Sequence, residues 1–140
     1  MPRKRVGPRR LKPFATRVSR HSPMLKFQKM LSATTQREKP ELVEWIRKIG
    51  SRQKPEGVIA GILMLRDRPD ARLGLQDVKC PVLIVVGEYD AITPPHAAMA
   101  MKALTPQSTL VTIPNAGHLA NCEQPTAFNL AVRKYLSTIA

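Results

Sequence analysis

Asp90 and His118 are two side chains of this 140-residue sequence whose types and spacing suit proton transfer. A carboxylate that accepts the Nδ1 proton of a histidine fixes the tautomer of the ring and stabilises the imidazolium that forms during catalysis. The free Nε2 atom can then act as a general base toward a hydroxyl group. Residue types alone leave a second interpretation open, because a histidine that follows a glycine often serves only as a turn residue.

Two apolar segments are predicted to bring this pair together. Residues 81–87, Pro-Val-Leu-Ile-Val-Val-Gly, are typical of a strand buried on both faces, and residues 109–113 predict a second strand. A helical stripe of small residues, with Thr93 as its expected N-cap, separates them, so the three elements form a βαβ unit with parallel strands. Loops at the carboxyl ends of parallel strands share one edge of the sheet, where α/β proteins bind ligands. We therefore expect Asp90 and His118 to be neighbours at that edge.

Helical patterns precede and follow this unit. Apolar residues recur at helical spacing over residues 40–53 and again over 55–66, and a proline stands at the start of each segment. We expect Trp45 and the apolar stripes to pack in the core, with a substrate-lining role as the alternative. Gly57 and Gly61, four residues apart, would permit a close contact between helices.

Both loop segments resemble the α/β-hydrolase family. Residues 81–95, Pro-Val-Leu-Ile-Val-Val-Gly-Glu-Tyr-Asp-Ala-Ile-Thr-Pro-Pro, resemble its strand and catalytic acid. Residues 113–129, Ile-Pro-Asn-Ala-Gly-His-Leu-Ala-Asn-Cys-Glu-Gln-Pro-Thr-Ala-Phe-Asn, resemble its final strand, histidine loop and last helix. The resemblance covers roughly residues 40–140 and is strongest over 78–136. It implies the α/β fold class, as a partial α/β-hydrolase fold in which lid helices precede a βαβα unit with two parallel strands.

The resemblance also implies a role for individual residues. Asp90 would be the acid of a catalytic triad and His118 its base. Gly117 would provide the turn that presents the histidine. Glu123 would anchor the loop, and Pro125 would start the last helix.

Three segments follow from the same reasoning. Residues 1–24 are expected to be a basic flexible arm, residues 25–78 a helical segment similar to the family's lid, and residues 79–140 a carboxyl-terminal core segment of the hydrolase fold.

The nucleophile expected of this family is missing from the sequence. It normally stands on a Gly-x-Ser-x-Gly elbow, and none of the serines has those neighbours: Ser19, Ser22, Ser32, Ser51, Ser108 and Ser137. The His-Gly type of oxyanion loop is also absent. Cys122, four residues after His118, is a conceivable substitute, although the family uses that position for ordinary packing. We therefore expect a truncated ester or lactone hydrolase that lacks independent activity.

Two alternatives remain open. The chain could be an active hydrolase, either through complementation by a second polypeptide or through a His118–Asp90 base that works without a serine. It could instead be a basic module that binds anionic surfaces or nucleic acid. A hydrolase of this kind would act on a small acyl compound and would need no cofactor.

The positive charge is concentrated in one part of the sequence. Residues 1–54 hold 16 Lys and Arg against 3 acidic residues, whereas residues 55–140 hold 7 of each. A basic arm could contact phosphates or an anionic membrane, could act as a transit peptide, or could have no role. The four prolines of the arm disfavour the amphipathic helix of a transit peptide, and the shortage of aromatic residues makes nucleic acid an unfavoured partner.

Composition sets further expectations. No apolar run approaches the roughly 20 residues that a membrane span requires. Two cysteines, Cys80 and Cys122, favour a reducing cytoplasmic location, and Cys80 is expected to be buried. His21 and His96 have no partners at metal-ligand spacing, so no metal is predicted.

The strand at 82–86 is expected to have an open edge. It is apolar and carries no charge, which favours pairing with another chain. The sequence therefore predicts self-association, pairing with a second chain that supplies the missing half, or poor solubility.

Overall fold

The structure, a computed structural model, describes residues 29–139. The basic arm predicted at residues 1–24 and the start of the lid-like segment lie outside the described residues. Within the described range, the helices and strands follow one another along the chain in this order: α1 Ala33–Glu38, α2 Pro40–Ser51, α3 Pro55–Arg66, α4 Arg72–Leu75, β1 Leu83–Gly87, α5 Pro95–Leu104, β2 Thr109–Ile113, α6 Ala120–Glu123 and α7 Pro125–Leu136.

Proline sets the start of the longer helices. Pro40, Pro55, Pro95 and Pro125 each occupy the first turn of a helix, where the missing N–H would have no partner and the fixed φ is already helical. The expected N-cap at Thr93 is wrong, because Pro94 is the residue that precedes α5. The Thr93 hydroxyl instead donates a hydrogen bond to Asp90.

The two strands form a parallel sheet in which Leu83 lies opposite Thr109 and Gly87 lies opposite Ile113. Helix α5 packs on one face, where Ile84, Val86 and Ala98 form a buried cluster. Helix α7 packs on the other face, beside a cluster built around Ile113. Strand β1 is thus covered on both sides, as its unbroken apolar sequence predicts.

The helices before the sheet are far more exposed than expected. Trp45 is 53% exposed, and α3 has no buried residue. Among the described residues, a Cβ atom added at Gly57 or Gly61 would meet nothing within 4 Å, so neither glycine takes part in the close helix contact that their spacing would permit. Apolar periodicity correctly indicates these helices, but packing needs a second surface, and the described residues do not supply one for α3.

One part of the helical segment is firmly attached to the sheet. Leu31, Ser32 and Thr35 are buried at the start of α1, where they lie against the loop that follows β2. Among the described residues, no helix has the length and apolarity needed to cross a bilayer.

Candidate active site

Asp90 lies just beyond the carboxyl end of β1, and its side chain is almost completely buried. Its Oδ1 atom accepts hydrogen bonds from the backbone N–H groups of Ile92 and Thr93, both at 2.8 Å. Its Oδ2 atom accepts from the Thr93 hydroxyl at 2.8 Å and faces His118 Nδ1 at 2.9 Å. Four donors therefore fix the orientation of the carboxylate.

The environment of Asp90 favours its ionised form. Burial by itself raises the pKa of the carboxyl group, because it removes water from the charge. The hydrogen bonds from Thr93, His118 and Ile92 act in the opposite direction and outweigh burial, so that the pKa lies below its ordinary value of 3.8. Asp90 is consequently an anion at neutral pH and can only accept a hydrogen bond from the imidazole.

This requirement determines the tautomer of His118. Nδ1 must carry the proton that it shares with Asp90, and the Thr93 hydroxyl oxygen lies 3.2 Å from the same nitrogen. Within the described residues, Nε2 takes part in no hydrogen bond, and the side chain is 32% exposed. Its lone pair is therefore free to accept a proton from an incoming group.

The loops that carry Asp90 and His118 are joined by backbone hydrogen bonds. Glu88 N–H donates to the carbonyl of Ile113 at 2.9 Å, and Tyr89 N–H donates to the carbonyl of Ala116 at 2.8 Å. A Cβ atom at Gly87 would lie 2.5 Å from the carbonyl oxygen of Ala116 and closer still to that of Gly117, so only glycine allows this approach. The backbone contacts at the end of the sheet thus bring together the acid and the histidine, which are 28 residues apart in the sequence.

The histidine loop, residues 114–119 between β2 and α6, is also held by a carboxyl group of α6. Glu123 accepts a hydrogen bond from the backbone N–H of Gly117 at 2.7 Å, in agreement with its expected role as a loop anchor. Gly117 does not have a positive φ, so the expected turn conformation is not the reason for a glycine there. The reason is space, because a Cβ atom would lie 2.7 Å from the nitrogen of Ser32.

Sequence reasoning missed two contributors to the site. Thr93 binds both members of the pair, and a threonine three residues after the acid was the available signal. The backbone of Met30 accepts a hydrogen bond from Leu119 in the histidine loop, and the backbone N–H of Ser32 donates to Glu123. No sequence pattern marks a backbone contact across more than 80 residues.

Other candidate groups do not join the pair. The hydroxyls of the described serines bind groups near them in the fold: Ser32 to Thr35 and Asn115, Ser51 to Lys48, Ser108 to Thr105, and Ser137 to Lys134. Cys122 is half-buried on α6, and Cys80 is exposed, which makes its predicted burial wrong. Over residues 29–139, no three His, Cys, Asp or Glu side chains are grouped so that they could hold a metal ion.

Comparisons with known proteins point to one family. A family model described as TAP-like protein matches residues 60–139. The pimeloyl-[acyl-carrier protein] methyl ester esterase of Nitrosomonas europaea is 32% identical over 101 residues, which are 70% of this chain and 40% of the relative. The 3-oxoadipate enol-lactonase 2 of Acinetobacter baylyi is 33% identical over 95 residues, which are 68% of this chain and 35% of the relative.

A solved structure agrees with these relatives. A thermophilic esterase from Thermogutta terrifontis, determined with malate bound, is 38% identical and matches with a TM-score of 0.80. The match covers 89% of this chain and 47% of the esterase. The chain therefore spans less than half the length of each of these three proteins.

An acid after one parallel strand and a histidine after the next are the arrangement that α/β-hydrolases place at the edge of their sheet. The family model matches more than half of the sequence, and the chain belongs to the α/β-hydrolase family. Its described part corresponds to the carboxyl-terminal half of α/β-hydrolase esterases.

Proposed function

We propose that this chain provides the acid and the general base of an ester or lactone hydrolase. The observation that carries the proposal is the 2.9 Å contact between His118 Nδ1 and Asp90 Oδ2 at the carboxyl edge of a parallel sheet. An anionic acid, a fixed tautomer and an unoccupied Nε2 are the features that a base of this kind requires.

The reaction needs a nucleophile that the sequence does not contain in the family's usual form. We propose that a serine on a Gly-x-Ser-x-Gly elbow comes from an amino-terminal half of the same fold. His118 Nε2 would take the proton of that serine as its oxygen attacks the acyl carbon. His118 would then pass the proton to the leaving alcohol, and a water molecule activated by the same nitrogen would release the acid.

The substrate class follows from the reaction and from the relatives. A methyl ester esterase, an enol-lactonase and a thermophilic esterase are all similar to this chain, and their names share the cleavage of an acyl–oxygen bond. We therefore propose a small carboxylic ester or lactone. Helices α2 and α3, which lie in the segment 25–78 predicted to be lid-like, would form part of the lid that covers the acyl group.

The proposal can be tested by reconstitution. The full chain is co-expressed with the amino-terminal half of the Thermogutta terrifontis esterase, and hydrolysis of p-nitrophenyl butyrate is measured. We expect hydrolysis by the complex, and we expect His118→Ala to lower kcat by roughly 10²–10⁴-fold, the usual contribution of a general base.

A second histidine provides the matched control. His96 is exposed on α5, and His96→Ala should leave the rate unchanged. Hydrolysis that persists in a purified His118→Ala complex would show that the pair is not the base. Hydrolysis by the chain alone that depends on His118 would instead support a base that works without the serine elbow.

A further inference from the structure

Glu123 is a completely buried carboxylate to which the proton-transfer chemistry above assigns no role. Its Oε1 atom accepts a hydrogen bond from the backbone N–H of Gly117, and its Oε2 atom accepts one from the backbone N–H of Ser32, each at 2.7 Å. Burying a carboxyl group is costly unless hydrogen bonds replace its water, and each oxygen of Glu123 has a backbone donor at short distance. Glu123 thus spans two segments that lie 85 residues apart, from Ser32 to Gly117.

The backbone is held on both sides of His118, by Glu123 before it and by Met30 after it. The N–H of Gly117, immediately before the histidine, donates to Glu123. The N–H of Leu119, immediately after it, donates to the carbonyl of Met30 at 3.1 Å. The position of the imidazole therefore depends on residues 30–32 as well as on its own loop.

No side chain separates the two segments at Gly117. A Cβ atom there would lie 2.7 Å from Ser32 N and 2.9 Å from the carbonyl carbon of Leu31. The Ser32 hydroxyl also lies 3.3 Å from the carbonyl oxygen of Asn115. At the end of α1, Lys39 Nζ donates to the main-chain oxygen of Glu123 at 2.6 Å. A shift of the segment at 30–39 would consequently displace the histidine loop.

We propose that Glu123 is a positioning residue, which holds His118 opposite Asp90 by tying the histidine loop to the backbone at Ser32. A role of Glu123 in catalysis rests on the proposed function. Its role in positioning His118 opposite Asp90 does not depend on that function. Without the contacts of residues 30–32, Glu123 would lose one of its two donors and Leu119, the residue after His118, would lose the carbonyl that its N–H binds. Docking of the segment that leads into α1 and α2 therefore sets the imidazole in place.

A pair of substitutions at Ser32 separates its N–H group from its hydroxyl. Ser32→Pro removes the N–H that Glu123 accepts, and the native φ of −64° suits proline. Ser32→Ala keeps that N–H and loses only the hydroxyl contacts.

A second pair compares Glu123→Gln, which leaves one backbone donor facing an amide N–H, with Glu88→Gln. Glu88 is exposed and accepts one hydrogen bond from the backbone N–H of Asn115, in the same loop. A glutamine oxygen at position 88 can accept this bond as well.

The measurement is the ¹⁵N–¹H correlation spectrum of the histidine rings at neutral pH in the full chain, with His118→Gln used for assignment. We expect a low-field Nδ1 proton of His118 in the parent chain and its loss in Ser32→Pro and Glu123→Gln, with the signal kept in Ser32→Ala and Glu88→Gln. Circular dichroism at the same temperature shows which variants are folded.

The outcomes discriminate a positioning role from a purely structural one. A structural role predicts lower melting temperatures with an unchanged His118 signal in the folded variants, and that result would overturn the proposal. Identical spectra for Ser32→Pro and Ser32→Ala would overturn it as well. Because the spectrum requires no substrate, an inactive reconstituted hydrolase would contradict the proposed function and leave this result standing.

Discussion

The chemistry of the site depends on how completely the acid is bound. Asp90 receives four donors, and three of them come from Ile92 and Thr93, within three residues of the carboxylate. A tight local turn therefore supplies three of the donors to the acid, and a distant loop supplies the fourth. The fourth donor, His118, meets a carboxylate that has one orientation.

The lowered pKa of Asp90 predicts a specific dependence of stability on pH. The folded state holds the carboxylate ionised to lower pH than the unfolded chain does, so its stabilisation is full above 3.8 and is lost as pH falls through the lower folded value. Asp90→Asn should lower the free energy of unfolding by roughly 1–3 kcal/mol at neutral pH. The difference from the parent chain should shrink below pH 3.8 in urea titrations.

Asp77, an exposed aspartate between α4 and β1, serves as the control for these urea titrations. Asp77→Asn should follow the parent chain closely across the same pH range. A gap between Asp90→Asn and the parent chain that stays constant into strong acid would contradict the linkage to ionisation.

At this scale the sequence predicts the pair but not its supports. Asp90 and His118 can be named because topology alone places loops at one edge of a parallel sheet. Thr93 suits a helix cap equally well on sequence grounds, since both roles need a hydroxyl at the same position. The backbone contacts of Met30 and Ser32 cannot be predicted, because they use atoms that every residue has.

At the level of elements, the close approach of β1 to the histidine loop is the critical contact. Glycine at positions 87 and 117 is required by space, because a Cβ atom at the first would lie 2.5 Å from a carbonyl oxygen and one at the second 2.7 Å from a nitrogen. Neither glycine has a positive φ. The loops therefore interlock through backbone atoms, and any side chain larger than hydrogen would separate them.

This contact predicts opposite effects for equivalent substitutions. Gly87→Ala and Gly117→Ala should each destabilise the fold by roughly 1–3 kcal/mol or more, because the added methyl group meets backbone. Gly57→Ala on α3 is the matched control, since its added Cβ meets nothing within 4 Å. It should stabilise by roughly 0.5–1 kcal/mol through higher helix propensity. Thermal unfolding followed by circular dichroism measures all three, and equal effects would contradict the contact.

The elements themselves are predictable from the sequence, but their packing is only partly so. The bounds of α3 at Pro55–Arg66 and of β2 at Thr109–Ile113 agree with the sequence pattern, because proline, glycine and apolar periodicity act locally. The predicted burial of Trp45 is wrong because periodicity identifies an apolar face and does not identify what covers it.

For the whole molecule, the two edges of the sheet are different. The bonds from Thr109 N to Val82 O and from Glu88 N to Ile113 O show that even-numbered residues of β1 face β2. The backbone groups of Leu83 and Val85 therefore point to the opposite edge, where no described strand lies. At the outer edge of β2, Pro114 follows directly after the strand and has no N–H group to donate, a feature that discourages pairing.

We expect the amino-terminal half of an α/β-hydrolase to pair with the edge of β1. Val85→Pro removes an N–H from that edge, and Thr112→Pro removes one from the edge of β2. Val85→Pro should abolish co-purification with the Thermogutta terrifontis esterase half, whereas Thr112→Pro should retain it. Loss of binding by Thr112→Pro in a folded chain would contradict pairing at the edge of β1. Full binding by Val85→Pro would contradict it as well.

The long reach from Ser32 to Glu123 has a consequence for biogenesis. During synthesis the ribosome releases residues 30–32 well before the last helix is made, and the buried carboxylate can bind them only after 91 further residues have followed. Closing so large a loop is slow and entropically costly, so local helices form first. We therefore expect the imidazole to reach its place opposite Asp90 only after Glu123 has been synthesised and has bound the Ser32 N–H, later than the local helices form.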